Sequence, residues 1–150
     1  MRESAASVAR GAVEAVGGVG AFGVELFLLR DGKIVVNELA PRPHNSAHYT
    51  IEACWTSQFE NHVRAVLGLP LGATDMRVPA AVMVNLLGTN RQPLDEESLK
   101  AALAEPRTFV HLYGKTENRV GRKMGHITAV GATPDEARAH AQAAASRIRL

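Results

Sequence analysis

This 150-residue sequence has little of several features that would indicate a function class at once. Cys54 is its one cysteine, so no internal disulfide can form, as is usual in a reducing compartment. Aromatic residues make up 5% of the chain and the formal net charge is +2, which offers few stacking platforms and little attraction for a nucleic acid. No stretch approaches the roughly 20 continuous apolar residues that span a bilayer, and the N-terminus lacks the apolar core of a signal peptide. We therefore expect a cytoplasmic protein with neither a membrane nor a nucleic acid as partner.

The sequence does contain 46% hydrophobic residues, enough to bury a core, in patterns that indicate an α+β fold. Apolar residues at helical spacing predict a helix over 4–16 that ends at Gly17. A capping-box pattern at Ser57 predicts a second helix, Asp95 can cap a short third one, and Thr133-Pro134 opens the last. Strands are predicted by β-branched and aromatic runs over 22–29, 34–37, 80–87, 109–113 and 126–130.

Turn-forming residues and a loss of periodicity over 69–74 mark the best internal boundary. We therefore predict two domains, residues 1–74 and 75–150. The segment 40–50 contains two prolines and Asn45-Ser46, which interrupt regular structure and predict a loop.

The first two predicted strands flank Asp31-Gly32, a strong signal for a two-residue hairpin turn. Such a turn fixes the register of the whole ladder, and both hairpin faces then come out largely apolar, which predicts burial on both sides. The pairs that this register predicts are Arg30 with Lys33, Leu28 with Val35, Leu26 with Asn37, and Glu25 with Glu38.

A pair of opposed carboxylates, Glu25 and Glu38, is the most informative consequence of this register. Like charges directly opposite each other destabilise a sheet by roughly 0.2–1 kcal/mol, so the pair suggests a counterion. Magnesium takes hard oxygen ligands, often one or two carboxylates with water and substrate phosphates in the other positions. The alternative is an exposed hairpin rim on which both glutamates point into water.

Two clusters of polar donors indicate anion binding. In the loop 40–50, Arg42 has a planar guanidinium suited to carboxylate, bicarbonate or phosphate, and His44 and Asn45 can donate further hydrogen bonds. Residues 113–126 combine four basic residues with one glutamate and three glycines, a composition that suits a phosphate monoester. Each cluster is also compatible with an ordinary solvated loop.

Other kinds of site have weaker support. His44 and His48 are four residues apart, as in helical zinc pairs, but the two prolines argue against the helix that such a pair needs. There is no G-x-S-x-G nucleophile elbow, and Cys54 is expected to be a small core residue.

Five segments occur in an order that is much more selective than any single motif: GVELF, VVNELAPRPHNSAHYTIEAC, TSQFENHVRAVLGLPL, VMVNLLG and HLYGK…GRKMGH. Together they closely resemble the C-terminal part of the 5-(carboxyamino)imidazole ribonucleotide synthases, a family of the ATP-grasp superfamily. The resemblance covers nearly the whole chain. It implies the C-terminal half of an ATP-grasp domain, an antiparallel sheet with helices, followed by a small α/β C-terminal domain.

The resemblance also implies an activity. Members of this family are ligases of de novo purine biosynthesis that use ATP and bicarbonate to convert 5-aminoimidazole ribonucleotide to its N5-carboxy derivative through carboxyphosphate. ATP and two magnesium ions would be the cofactors. A homodimer, and hand-over of the product to the mutase that acts next, are further expectations from the family.

Individual residues match the family's functional positions. By this resemblance the magnesium ligands are Glu25 and Glu38, and Asn37 and Glu38 form the end of the ATP site. The catalytic residues near bicarbonate are Arg42 and His44. The substrate-binding residues are Asn45, Ser46, Lys115 and Arg122, of which the last two bind the ribonucleotide phosphate.

The sequence departs from the family pattern in its extent. Members carry a long N-terminal region with a Rossmann-like domain, the ATP lid and the lysines that contact ATP, and these 150 residues do not match it. We therefore expect the chain by itself to bind nucleotide poorly and not to turn over. One alternative is a non-catalytic fragment or interaction module. Another is part of a different ATP-grasp ligase, such as the formate-dependent glycinamide ribonucleotide transformylase or a biotin carboxylase, which the HNS and GRKMGH motifs disfavour.

Overall fold

The computed structural model describes residues 1–90 and 93–150. The helices are α1 (Arg2–Val16), α2 (Thr50–Ala53), α3 (Gln58–Val66), α4 (Glu96–Leu103) and α5 (Pro134–Arg147), and a 3-10 turn covers Asn45–Ala47. The strands are β1 (Gly23–Leu28), β2 (Ile34–Ala40), β3 (Ala80–Leu87), β4 (Thr108–Leu112) and β5 (Lys123–Gly131). Across the described residues, no helix is long and apolar enough to cross a membrane.

The chain forms two compact units. The first contains residues 1–48 and 56–74, which form α1, the β1–β2 hairpin and α3. The second contains residues 49–55 and 75–150, so α2 belongs with the later strands and helices. The predicted α+β fold is confirmed, whereas the domain limits 1–74 and 75–150 stay a prediction.

The predicted helix starts rest on the caps expected from the sequence. Ser57 Oγ accepts from Glu60 N at 3.2 Å at the start of α3, and Thr133 does the same for Glu136 N at the start of α5. Asp95 caps α4 by accepting from the backbone of its first turn. The helix α2, however, was not predicted, because its four residues are too few to show a periodic pattern.

The second unit is a three-stranded antiparallel sheet in the order β3-β5-β4, with α4 and α5 packed on one face. Its core contains Leu86, Met124 and Ile127 from the sheet, together with Ala102, Ala144 and Leu150. Three alanines of α5 are fully buried, and their small side chains let the helix backbone lie close to the sheet.

The turn of the β1–β2 hairpin differs from the predicted two-residue turn. Leu29 N donates to Lys33 O at 2.8 Å and Gly32 N donates to Leu29 O at 3.0 Å, so the loop has three residues. Gly32 has φ +84°, the left-handed conformation that ends a three-residue hairpin loop after a type I turn. The predicted pairs of Leu28 with Val35 and Leu26 with Asn37 are wrong: Leu28 pairs with Ile34, and Leu26 pairs with Val36.

A second irregularity restores the register further along the ladder. The pairing shifts between Glu25 and Leu26, so Asn37 is an extra residue in β2 and Glu25 still lies opposite Glu38. The predicted carboxylate pair is therefore confirmed. It was predicted through a turn that is one residue too short, and the bulge at Asn37 cancels that error.

The predicted burial of both hairpin faces is wrong for these residues. Phe27 and Leu28 are 54% and 55% exposed, and the six residues of β1 are all exposed or half-buried. α1 lies against the hairpin but covers it only in part. Apolar alternation shows that a strand face can be covered, but it does not show that the same segment supplies the cover.

Candidate functional site

The candidate site begins at the end of the hairpin where Glu25 and Glu38 face each other. Asn37 Nδ2 donates to Glu25 Oε2 at 3.2 Å, because the bulge places Asn37 beside the pair and re-aims its side chain. The Glu25 side chain is 48% exposed. Three oxygen-bearing side chains are thus gathered at one end of the two strands, two of them carboxylates.

His44 joins this group from the loop that follows β2. Its Nε2 lies 3.4 Å from Glu25 Oε1, and its Nδ1 lies 2.7 Å from Ser46 Oγ. The ring packs on Gly23, where an added Cβ would lie 2.7 Å from His44 Cβ and Cγ. Both ring nitrogens of His44 are therefore engaged, and the absence of a side chain at position 23 makes room for the ring.

The backbone of His44 is held by a residue that the sequence did not single out for function. Gln58 accepts from His44 N at 2.8 Å and donates to His44 O at 2.8 Å. Its Nε2 also lies 2.8 Å from His48 Nδ1. The sequence showed Gln58 only as the second residue of a capping-box pattern, which gave no sign that its side chain leaves the helix to bind the loop.

The other residues predicted for the loop lie close by in sequence but make different contacts. Arg42 is exposed, and its guanidinium donates to Pro43 O at 3.1 Å. Asn45 and Ser46 begin the 3-10 turn, for which His44 is the N-cap residue. The structure therefore brings His44 to Glu25 and Ser46 to the other ring nitrogen of His44, whereas the Arg42 side chain is exposed.

The second predicted cluster lies in the turn region before β5. Lys115 Nζ bonds to Lys123 O and lies 5.5 Å from the centre of the Tyr113 ring. Arg122 donates to Glu117 O at 3.0 Å. Lys115 also lines a pocket of about 230 Å³. Lys115 and Arg122 thus belong to one folded loop, in which Lys115 is held by the first carbonyl of β5 and Arg122 by the loop carbonyl of Glu117.

The residues at the hairpin end fit magnesium better than zinc. Among the described residues, no three His, Cys, Asp or Glu side chains come together as metal ligands. Glu25 and Glu38 offer two hard oxygen donors, the kind of partial ligand set that binds magnesium jointly with substrate phosphates. A structural zinc site would need four nitrogen or sulfur donors, and His44 and His48 instead contact Ser46 and Gln58.

Comparison with known proteins identifies the family to which this arrangement belongs. An ATP-grasp domain model matches residues 1–59, and a model of the phosphoribosylaminoimidazole carboxylase C-terminal domain matches residues 81–140. The N5-carboxyaminoimidazole ribonucleotide synthase of Bacillus subtilis is 49% identical over 136 residues, which cover 91% of this chain and 34% of that protein. The chain belongs to the N5-carboxyaminoimidazole ribonucleotide synthase family. The family predicted from the motifs is confirmed.

Solved structures of this family superimpose on nearly the whole chain. The carboxyaminoimidazole ribonucleotide synthase of Aspergillus clavatus complexed with ATP has a TM-score of 0.82 and 44% identity, covering 98% of this chain and 40% of that one. The complex of the Aspergillus clavatus protein with ADP and 5-aminoimidazole ribonucleotide has a TM-score of 0.81 and 42% identity, covering 96% and 39%. The chain therefore spans between about a third and two fifths of the length of these relatives.

The two family matches divide the predicted site residues between them. The ATP-grasp match includes Glu25, Glu38 and His44, and the C-terminal match includes Lys115 and Arg122. Within the first group, His44 contacts Glu25, and Glu38 lies opposite Glu25 in the hairpin. The roles assigned to these residues stay predictions.

A buried polar cluster in the second unit was not predicted. Glu52 Oε1 contacts His111 Nε2 at 2.6 Å, the His111 and His126 rings stack with centroids 4.4 Å apart, and Tyr113 Oη lies 2.9 Å from His126 Nδ1. His111 and His126 are cross-strand partners in β4 and β5. The sequence signal was two histidines in adjacent predicted strands, but the partner Glu52 is 59 residues from His111.

Cys54 has the properties expected of a core residue. It is buried, and burial, followed by the nearby Asp75 carboxylate, raises the pKa of its thiol. A nucleophilic cysteine needs the opposite shift, because the thiolate is the reactive form.

Proposed function

We propose that this chain is the C-terminal part of an ATP- and bicarbonate-dependent ligase that carboxylates 5-aminoimidazole ribonucleotide to its N5-carboxy derivative in purine biosynthesis. The observation that carries the proposal is the pairing of Glu25 with Glu38, with Asn37 and His44 both bound to Glu25. The ligands of the solved relatives, ATP in one complex and ADP with 5-aminoimidazole ribonucleotide in another, support the same substrates here.

In this proposal, Glu25 and Glu38 hold magnesium, and Asn37 fixes one oxygen of Glu25 so that the carboxylate keeps its orientation. Bound magnesium would neutralise the charge on the phosphates of ATP during transfer. Phosphoryl transfer depends mainly on positioning and on such charge stabilisation. A protein nucleophile is therefore not required, which fits a buried Cys54 thiol with a raised pKa.

The loop after β2 supplies the groups for the carboxylation. A bicarbonate oxygen attacks the γ-phosphorus and ADP leaves; the exocyclic amine of the ribonucleotide then attacks the carboxyl carbon, phosphate leaves and the amine gives up a proton. Arg42 offers a bidentate donor for the carboxylate, and Asn45 and Ser46 can donate hydrogen bonds to the reacting groups. His44 is the side chain of this set that we assign to accept the proton.

The ribonucleotide phosphate is assigned to Lys115 and Arg122. Both cations lie in one loop whose glycines Gly114 and Gly121 have positive φ angles, so backbone N–H groups can approach an anion there. A homodimer, transfer of the product to the mutase that acts next and a cytoplasmic location complete the proposal.

A chimera tests the proposal. In it, this chain replaces the matching 40% of the Aspergillus clavatus protein, and ATP hydrolysis is measured with and without 5-aminoimidazole ribonucleotide. We expect stimulated hydrolysis from the chimera, little from the chain alone, and a loss on the order of 10²–10³-fold in Glu38→Gln. A folded chimera without stimulation would contradict the proposal and favour the non-catalytic alternative. Stimulation by glycinamide ribonucleotide with formate would favour the other ATP-grasp ligase.

A further inference from the structure

Gln58 binds the loop in a way that replaces a missing strand neighbour. Its carboxamide accepts from His44 N and donates to His44 O, both at 2.8 Å, which is the pattern by which one β-strand residue binds another. His44 itself is extended, with φ −107° and ψ 145°, and it lies beyond Ala40, the last residue of β2. The glutamine side chain therefore holds the residue after the sheet has ended.

The direction of the Gln58 amide follows from chemistry alone. A backbone N–H can only donate and a backbone carbonyl can only accept, so Oε1 must face His44 N and Nε2 must face His44 O. The distance of 2.8 Å from Gln58 Nε2 to His48 Nδ1 then makes His48 Nδ1 an acceptor. In neutral His48 the ring proton consequently lies on Nε2.

Gln58 lies on a helix whose side chains hold several non-helical segments in place. It is the first residue of α3, whose N-cap Ser57 accepts from Glu60 N. Asn61, on the same face of α3, holds Gly72 in the same two-point manner, accepting at 2.8 Å and donating at 3.3 Å. His62 Nδ1 accepts from Ala21 N at 3.0 Å. One helix face thus fixes three non-helical segments of the first unit.

We propose that Gln58 is a positioning residue that fixes the backbone of His44 so that the imidazole lies against Glu25 and Ser46, and that it also sets the ring tautomer of His48. The inference rests on the proposed role of His44 in carboxylation. Gln58 acts through the two histidines, because both of its amide atoms bind them.

The first test is spectroscopic and does not depend on activity. The 150-residue chain is labelled with ¹⁵N at histidine, and imidazole and backbone signals are recorded by NMR for the wild type, Gln58→Met and Gln58→Glu. We expect the Nε2–H tautomer of His48 in the wild type. Gln58→Met removes every amide contact, so His48 should populate both tautomers. Gln58→Glu offers only acceptors, so His48 should shift toward the Nδ1–H form, which can donate to the carboxylate. The backbone signal of His44 should move in both variants, and further in Gln58→Met.

The matched control is Asn61→Leu, which removes the equivalent two-point contact with Gly72 on the same helix. It should shift signals near Gly72 and leave His44 and His48 as in the wild type. Circular dichroism confirms that each variant is folded. Unchanged His44 and His48 signals in Gln58→Met would overturn the proposed positioning role of Gln58. Changes of equal size in Asn61→Leu would overturn it as well.

The second test separates positioning from the function itself. In the chimera, Gln58→Met should lower turnover by about 10²-fold, as expected for a misplaced catalytic group. Its KM for ATP should change little. The turnover of Asn61→Leu should stay close to that of the unmutated chimera. Altered histidine signals with unchanged turnover would overturn the positioning role while the proposed function stands. An inactive parent chimera would count against the proposed function. The NMR experiment would still decide whether Gln58 positions His44 and sets the tautomer of His48.

Discussion

Glu52 Oε1 lies 2.6 Å from His111 Nε2, and this contact joins residues 59 positions apart in the second unit. Glu52 is 7% exposed, and its backbone carbonyl accepts from Arg77 Nε at 2.8 Å. The segment 49–55, which directly follows the loop of His44 and His48, is therefore fixed to β4 by the side chain of Glu52 and to the segment before β3 by its backbone.

A double-mutant cycle tests this pair. His111→Leu leaves the buried carboxylate of Glu52 without its partner and should lower the free energy of unfolding by about 1–3 kcal/mol, the cost of leaving a buried acceptor unsatisfied. Glu52→Met should also be destabilising. The double variant should lose clearly less free energy of unfolding than the sum of the losses in the two single variants, because replacing both partners leaves no buried charge. Urea denaturation measures all four proteins, and simple additivity would show that the contact does not couple the two residues.

The carboxylate of Glu105 should make the second unit less stable in acid. A hydrogen bond from His140 at 2.8 Å, with Arg147 2.8 Å from the other oxygen, lowers the pKa of Glu105 below its ordinary value. A carboxyl group with a lowered pKa contributes stability above its ordinary pKa, and the contribution is lost as pH falls through the lowered one. Urea midpoints measured from neutral to acid pH should fall less steeply in Glu105→Gln.

Glu97→Gln is the control for that measurement. Glu97 pairs with Lys100 on the exposed surface of α4, where its side chain is 78% exposed, and exposed pairs contribute little. From neutral to acid pH, the urea midpoints of Glu97→Gln should therefore fall as steeply as those of the wild type. If the urea midpoint fell less steeply with pH by the same amount in both variants, the specific contribution of Glu105 would be ruled out.

Gly23→Ala should displace the His44 ring from Glu25. The new Cβ would lie 2.7 Å from His44 Cβ and Cγ, closer than atoms in contact can be, so the ring must move. The imidazole signals of His44 should shift, and the chimera should lose turnover. Gly32→Ala at the turn is the control: its Cβ meets nothing within 4 Å, but φ is +84°, so it should cost about 1 kcal/mol with the His44 signals unchanged. Unchanged His44 signals in Gly23→Ala would contradict the packing of the His44 ring on Gly23.

Gly11 inside α1 and Gly17 at its C-cap should respond in opposite directions to substitution by alanine. Gly11 lies inside the helix and an added Cβ meets nothing within 4 Å, so Gly11→Ala should raise stability by about 0.5–1 kcal/mol. Gly17 is the left-handed C-cap with φ +65°, so Gly17→Ala should lower it. Thermal unfolding compares the two, and a destabilising Gly11→Ala would show that position 11 has an unrecognised packing role.

Much of the fold was predictable because its signals are local. The caps at Ser57, Asp95 and Thr133 and the apolar run Ala80–Leu87 specify elements without reference to distant residues. The opposition of Glu25 and Glu38 was also predicted, but through a turn one residue too short, and the bulge at Asn37 compensated. Bulge positions depend on how strands twist and pack, which alternation alone does not encode.

The contacts that organise the site were less predictable because they join separate segments. His44 reaches Glu25 only because the loop folds back over Gly23, and Gln58 reaches His44 from the start of another helix. A capping pattern accounts for Ser57 and Glu60 but does not indicate where the intervening side chain points. Glu52 gave no sequence signal for its contact with His111.

Transfer of labelled carbon shows whether Glu25 and Glu38 serve an ATP-dependent carboxylation. The chimera is supplied with ATP, magnesium, 5-aminoimidazole ribonucleotide and ¹³C-bicarbonate, and the N-carboxylated product is followed by NMR alongside ADP. We predict one labelled carboxylate per ADP released, and loss of both in Glu38→Gln with the fold intact. ADP release by a folded chimera without labelled product, or full labelling in Glu38→Gln, would contradict the account.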